Sequence, residues 1–158
     1  MHPTARQFAT QVQEVHGFEP SIEEFPEGTK TADDAAAAIG CDVAQIVKSI
    51  VMRVGDETVL VLTSGANRVD ETALGAEFGV EADAVRSATA SEVKDATGWS
   101  IGGVPPTCHA TACPVLADPT FDASDEIWAA AGTPEAVFRL TPETLRTLAD
   151  PRFVDVFE

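Results

Sequence analysis

The sequence has no tyrosine, two tryptophans and only three cysteines in 158 residues. Three unpaired-looking cysteines in apolar settings argue against a disulfide-stapled secreted scaffold and fit a reducing compartment. No run reaches the roughly 18 apolar residues that a membrane-spanning helix needs. The opening "MHPTARQFATQVQEV" carries charges and no apolar centre, so it does not read as a secretion signal and a cytoplasmic location is expected. Positive charge is scarce as well. Ten Lys plus Arg face 26 Asp plus Glu, a formal net charge of −16. This argues against broad nucleic-acid binding, because phosphate contacts need local positive charge, and DNA is not an expected partner. An RNA would have to be read at one small basic pocket. The acidic, lysine-poor surface suits a high-salt cytoplasm, where screening weakens carboxylate repulsion.

What is present is an ordinary globular composition, 44% hydrophobic, in a length that suits one domain spanning 1–158. "PTARQFATQVQEVHG" places Phe8, Val12 and Val15 at helical spacing and ends at Gly17. "FEPSIEEF" reads as a short extended piece. Thr31 precedes Asp33 and Asp34 in "ADDAAAAIG", a helix with acids in its first turn and Gly40 at its end. "DVAQIVK" reads as a further short helix. "SIVMRV" and "TVLVLTS", joined by "GDE", read as a hairpin. "VDETALGAEFG" reads as an amphipathic helix with Asp70 as its cap, and "SATASEVKDATG" as another helix, with Thr89 or Ser91 as its cap. "CPVLAD", "EIWAAAG" and "AVFRL" are short strands, and Thr141-Pro142-Glu143 opens a last helix. "FVDVF" closes as a strand or extended tail. The pattern predicts a mixed α/β fold, a curved mixed sheet or partial barrel with helices around it.

Several groups could carry chemistry. Lys48 lies inside the apolar run "QIVKSIVM". A lysine there either snorkels to water along an apolar stem or meets an anion at the mouth of a pocket, and pattern alone favours the first. "GGVPP", Gly102 to Pro106, can bring backbone amides close to a ligand, as an oxyanion hole does, or can be an ordinary turn. Cys108, His109 and Cys113 lack the paired spacing of a zinc site, and Cys41 and Cys113 read as small buried hydrophobes. Asp118 ends an apolar strand. In "SGANRVD", Arg68 is a candidate phosphate contact and Asp70 a helix cap. No phosphate-binding loop, dinucleotide fingerprint or nucleophile elbow occurs.

The order of these weak signals is more specific than any one of them. A lysine opening an apolar strand is followed by "GANRVD", by "TG" and "GGVPP", by an aspartate-ended strand, by "AGTPEAVFRL" and by "TPETL". Over roughly residues 3 to 157 the chain resembles the YbaK / prolyl-tRNA synthetase-associated domain family of stand-alone editing proteins. The resemblance implies a mixed α/β fold around a curved sheet. It also implies hydrolysis, without metal or cofactor, of the ester joining a wrong amino acid to the tRNA 3′ adenosine. The family's near-invariant lysine falls on Lys48, its glycine–proline loop on Gly102 to Pro106, and a histidine of some members on His109. Members acting on cysteinyl-tRNA carry an aspartate at the position of Val137 and an aromatic at that of Thr31. Many members have glycine where this chain has Cys108.

On this footing Lys48, Gly102 and Gly103 are the expected catalytic set. Thr31, Arg68, Val104, Pro106, His109 and Val137 are the expected substrate contacts. Gly102 and Gly103 amides would meet the carbonyl oxygen, Lys48 would hold the ribose–phosphate end, and water would attack. The expected substrate is a small mischarged amino acid on a tRNA, with tRNA(Pro) a candidate, and the expected partners are the tRNA 3′ end and an aminoacyl-tRNA synthetase. A non-catalytic nucleotide-binding or regulatory module of the same fold is the competing reading.

Overall fold

The computed structural model describes residues 1–25 and 31–158. Helix α1, Pro3–His16, turns Ala5, Phe8 and Val12 into the core and ends where Gly17 adopts a left-handed conformation. Strand β1 is Ile22–Glu24. Helix α2, Ala32–Ile39, starts where the Thr31 hydroxyl accepts from the Asp34 amide. The helix expected over "DVAQIVK" forms only a 3-10 turn, Val43–Gln45, before strand β2, Ile46–Val54, takes over. The Gln45 side chain caps the turn at the Asp42 amide and also donates to the Glu126 carbonyl. Ile46 and Val47 are β-branched and pair with a neighbouring strand instead of continuing the helix.

The hairpin is as expected but longer, with β3 at Glu57–Ser64 and Gly55 in the turn at φ 60°. Helix α3, Glu71–Glu77, is capped by Asp70. A short strand that the sequence reading did not anticipate, β4 at Val85–Ser87, leads into α4, Ala90–Thr97, whose start is a capping box of Thr89 and Glu92. A long loop then reaches β5, Val115–Ala117, and a 3-10 turn over Pro119–Ala123. Strands β6, Ile127–Ala130, and β7, Ala136–Leu140, are followed by α5, Pro142–Ala149, and β8, Arg152–Phe153.

Among the described residues eight strands form one open mixed sheet in the order β1-β7-β6-β2-β3-β5-β8, with β4 beside β2. Strand β6, from "EIWAAAG", is therefore internal. The β2–β6, β3–β5 and β5–β8 pairs are parallel and the others antiparallel. The pleat sends β2 residues alternately to two sides. Val47 and Val51 join the main core with Phe8, Phe121 and Phe138. Met52 joins a second core with Leu74 and Val156, and Ile46 a third with Ala35 and Ala36.

One edge of β2 is paired with β3 from Val47 to Val54. The other edge is split. Strand β6 leaves it after the Val47–Ala129 pair, and β4 joins it at Met52–Ser87. Between these points the sheet opens. The cysteines differ from expectation: Cys41 and Cys113 are half-buried at the margins of cores rather than inside them. Among the described residues, no helix is long and apolar enough to cross a membrane.

Candidate active site

A pocket of about 550 Å³ lies at the opening in the sheet. Its wall takes Lys48, Ser49 and Val51 from β2, Thr31 and Asp33 from the start of α2, and Trp128 and Ala129 from β6. Ile101, Gly102 and Val104 of the long loop, with Val137 of β7, complete the enclosure. Five expected site residues thus meet: Thr31, Lys48, Gly102, Val104 and Val137. Most of the wall is small or β-branched, while Trp128 supplies a half-buried aromatic face.

Lys48 does not simply snorkel. It is half-buried, and its Nζ donates to the Asn67 carbonyl at 3.0 Å. Burial pushes its ammonium below the usual lysine value, as does the nearby Arg68 guanidinium, while Asp118 and Asp33 pull the other way. The Asn67 turn is itself fixed from behind by Asp118, which is 1% exposed. One Asp118 oxygen accepts from the Ser64 amide at 3.1 Å and from Asn67 Nδ2 at 2.9 Å, and the other accepts from the Thr120 amide at 2.9 Å. The aspartate that ends β5 therefore positions the carbonyl that orients Lys48. Arg68 is exposed and lies outside the pocket wall; it acts on Lys48 through its charge.

The glycine–proline loop divides into two faces. Gly102 sits at φ 87° and lines the pocket, as does buried Val104. The Gly103 amide, expected to face a carbonyl oxygen, instead donates to the Ser100 carbonyl at 2.9 Å and closes a turn. Gly103 has a different reason to be glycine: a Cβ there would come within 2.6 Å of the Thr133 Cα. Pro106 is buried outside the pocket wall. His109 is also displaced from expectation. Its Nε2 lies 2.7 Å from the Pro105 carbonyl, which can only accept, so Nε2 carries the proton. It faces a separate cavity beside Gln11 and Glu14 of α1, and burial holds it below the usual histidine value. Cys108 adopts φ 66°, the left-handed conformation that favours glycine, and its carbonyl accepts from Trp99 Nε1 at 3.0 Å. Among the described residues no three His, Cys, Asp or Glu side chains gather as a metal site would require.

Sequence reasoning passed over Ser49, Asp33 and Trp128. For Ser49 the signal was present, a hydroxyl inside a β-branched apolar run next to Lys48.

Residues 26–148 match the sequence profile of the aminoacyl-tRNA editing domain. The uncharacterized protein YwhH of Bacillus subtilis is 30% identical over 128 residues, 80% of each chain. The proline–tRNA ligase of Lactobacillus gasseri is 38% identical over 93 residues, 59% of this chain but only 16% of that enzyme. A crystal structure described as a candidate trans-editing enzyme for prolyl tRNA synthetase superposes with a TM-score of 0.88 at 41% identity, covering 100% of this chain and 99% of that one.

Proposed function

The chain belongs to the aminoacyl-tRNA editing domain family, and from that premise we propose that it is a stand-alone deacylase that hydrolyses the ester between a small mischarged amino acid and a tRNA, with tRNA(Pro) the first candidate. The tRNA(Pro) link draws on the resemblance to a candidate trans-editing enzyme and to a segment of proline–tRNA ligases. The observation that carries the reading is one shared pocket for a restrained lysine and the pocket face of a glycine loop. The whole chain acts as one editing unit in the cytoplasm, on the 3′ end of an aminoacyl-tRNA, beside a synthetase that produces the mischarged species.

Ester hydrolysis needs a stabilised carbonyl oxygen and a placed nucleophile. Gly102 and Val104 are the loop residues whose amides serve the oxygen, since Gly103 is occupied by Ser100. Lys48 holds the ribose–phosphate end and so places the ester. Water attacks the carbonyl carbon, the ester C–O bond breaks, one proton of that water passes to the departing ribose oxygen, and the amino acid's new carboxyl group releases the other to solvent. The aliphatic wall formed by Val51, Val104 and Val137 limits the acyl side chain to a small one, as a second sieve does.

A deacylation panel of alanyl-, seryl- and cysteinyl-tRNA(Pro) tests this, run in about 2 M salt to screen the acidic surface. At least one ester is hydrolysed, and Lys48→Ala lowers that rate by about 100-fold or more while circular dichroism is unchanged. Hydrolysis of none by the wild-type chain would refute the deacylase and leave a binding module.

A further inference from the structure

Ser49 is a polar group of the pocket wall that the mechanism above does not use. Its Oγ is buried and has no hydrogen-bond partner. A buried hydroxyl left unpaired is costly and calls for an explanation. Its backbone stands at a break in the strand pairing. Along a strand, residues present their N–H and C=O to alternate edges. The Ile46 carbonyl accepts from the Gly65 amide, towards β3, and the Val51 carbonyl accepts from the Ala88 amide, on the split edge. Ser49 therefore faces the split edge. It lies past the last β6 pair, at Val47, and before the first β4 pair, at Met52. Its carbonyl and hydroxyl are two acceptors at one point of a wall shared with Val51, Val104 and Val137, with Asp33 on the same pocket.

We propose that Ser49 binds the α-ammonium group of the aminoacyl ester, with its backbone carbonyl and Oγ accepting and its hydroxyl proton turned aside. This rests on the deacylase reading. An aminoacyl ester always brings an ammonium donor into the pocket, and the acyl carbon lies one bond from the carbon that bears it. Anchoring that group fixes the carbonyl relative to Gly102. The site would also separate aminoacyl esters from acyl esters that lack the amine.

The test compares alanyl-tRNA with lactyl-tRNA, which has the same side chain and a hydroxyl in place of the ammonium, on the wild type and Ser49→Ala. The wild type prefers the alanyl ester by at least about tenfold, the range of one charge-assisted hydrogen bond. Ser49→Ala slows the alanyl ester about tenfold and leaves the lactyl ester within about twofold. Its melting temperature stays level or rises by up to about 5 °C, because an unpaired buried hydroxyl is removed. Equal slowing of both esters, a lower melting temperature, or a shift only between alanyl and seryl esters would overturn the assignment. So would an Asp33→Asn variant that abolishes the preference while Ser49→Ala leaves it intact. Equal hydrolysis of the two esters by the wild type would refute the ammonium site alone, whereas hydrolysis of neither refutes the deacylase and this site with it.

Discussion

Two polar side chains flank the central hairpin, and their surroundings differ. At the far end of β3 and β5, Asp118 is almost wholly buried and receives hydrogen bonds from the Ser64 and Thr120 amides and from the Asn67 side chain. On the split edge of β2, the Ser49 hydroxyl is buried and receives none. Both are polar groups in or just after apolar strands, where a buried unpaired donor or acceptor costs about 1–3 kcal/mol. The first arrangement is complete without a ligand and therefore supports the fold. The second is incomplete in the protein alone, which is the condition of a group kept for a substrate. The same division runs through the glycine loop. Gly103 is consumed by packing and a turn bond, and Gly102 is left to the pocket.

Substitutions can break this contrast. Asp118→Ala strands three donors at once and should destabilise the protein by about 4 kcal/mol, read as a lower midpoint in urea. Activity should fall with it, since Asn67 loses the anchor that sets Lys48. A small effect on stability would erase the difference from Ser49→Ala, whose expected change has the opposite sign. The glycine pair sharpens the contrast within one loop. Gly103→Ala pushes a Cβ against the Thr133 backbone and should cost about 2 kcal/mol. Gly102→Ala meets only Pro134 at 3.4 Å, so its cost is mainly the left-handed backbone, about 1 kcal/mol, and its larger effect should be on deacylation. Equal stability loss in the two would deny that the loop has two faces. The smallest change is expected for Cys108→Gly. Relief of φ 66° outweighs the lost thiol packing, and stability should rise by about 0.5 kcal/mol in the same urea assay.

Much of the fold is legible because it is local. Thr31, Asp70, Thr89 and Thr141 cap the helices they precede, and the β-branched hairpin strands flank Gly55. Strand β4 escaped notice because Arg86 and Ser87 are exposed and its pairing with β2 is its main signal of order. The helix read over "DVAQIVK" failed for the same kind of reason: tertiary pairing with β6 decides Ile46 and Val47. At the site, order along the chain brought Lys48, Gly102, Val104, Thr31 and Val137 to one pocket. It could not reveal which amide of two adjacent glycines is free, because that depends on the Ser100 carbonyl. Nor could it show that His109 turns towards α1, which follows from its bond to Pro105. Ser49 was passed over for a similar reason. Its meaning comes from two strands that stop short of it, and neither is its neighbour in sequence.

An unpaired strand edge usually invites another chain to add itself, and proteins guard such edges against aggregation. The open stretch of β2 is guarded by its length. About 13 Å of strand separates Val47, last paired with β6, from Val51, whose carbonyl already meets Ala88 beside β4. A foreign strand cannot extend past either boundary, so it gains too few bonds to stay. A single amino acid is short enough to enter. The gap thus admits a single residue and excludes an added strand by geometry, and the same interruption makes room for chemistry.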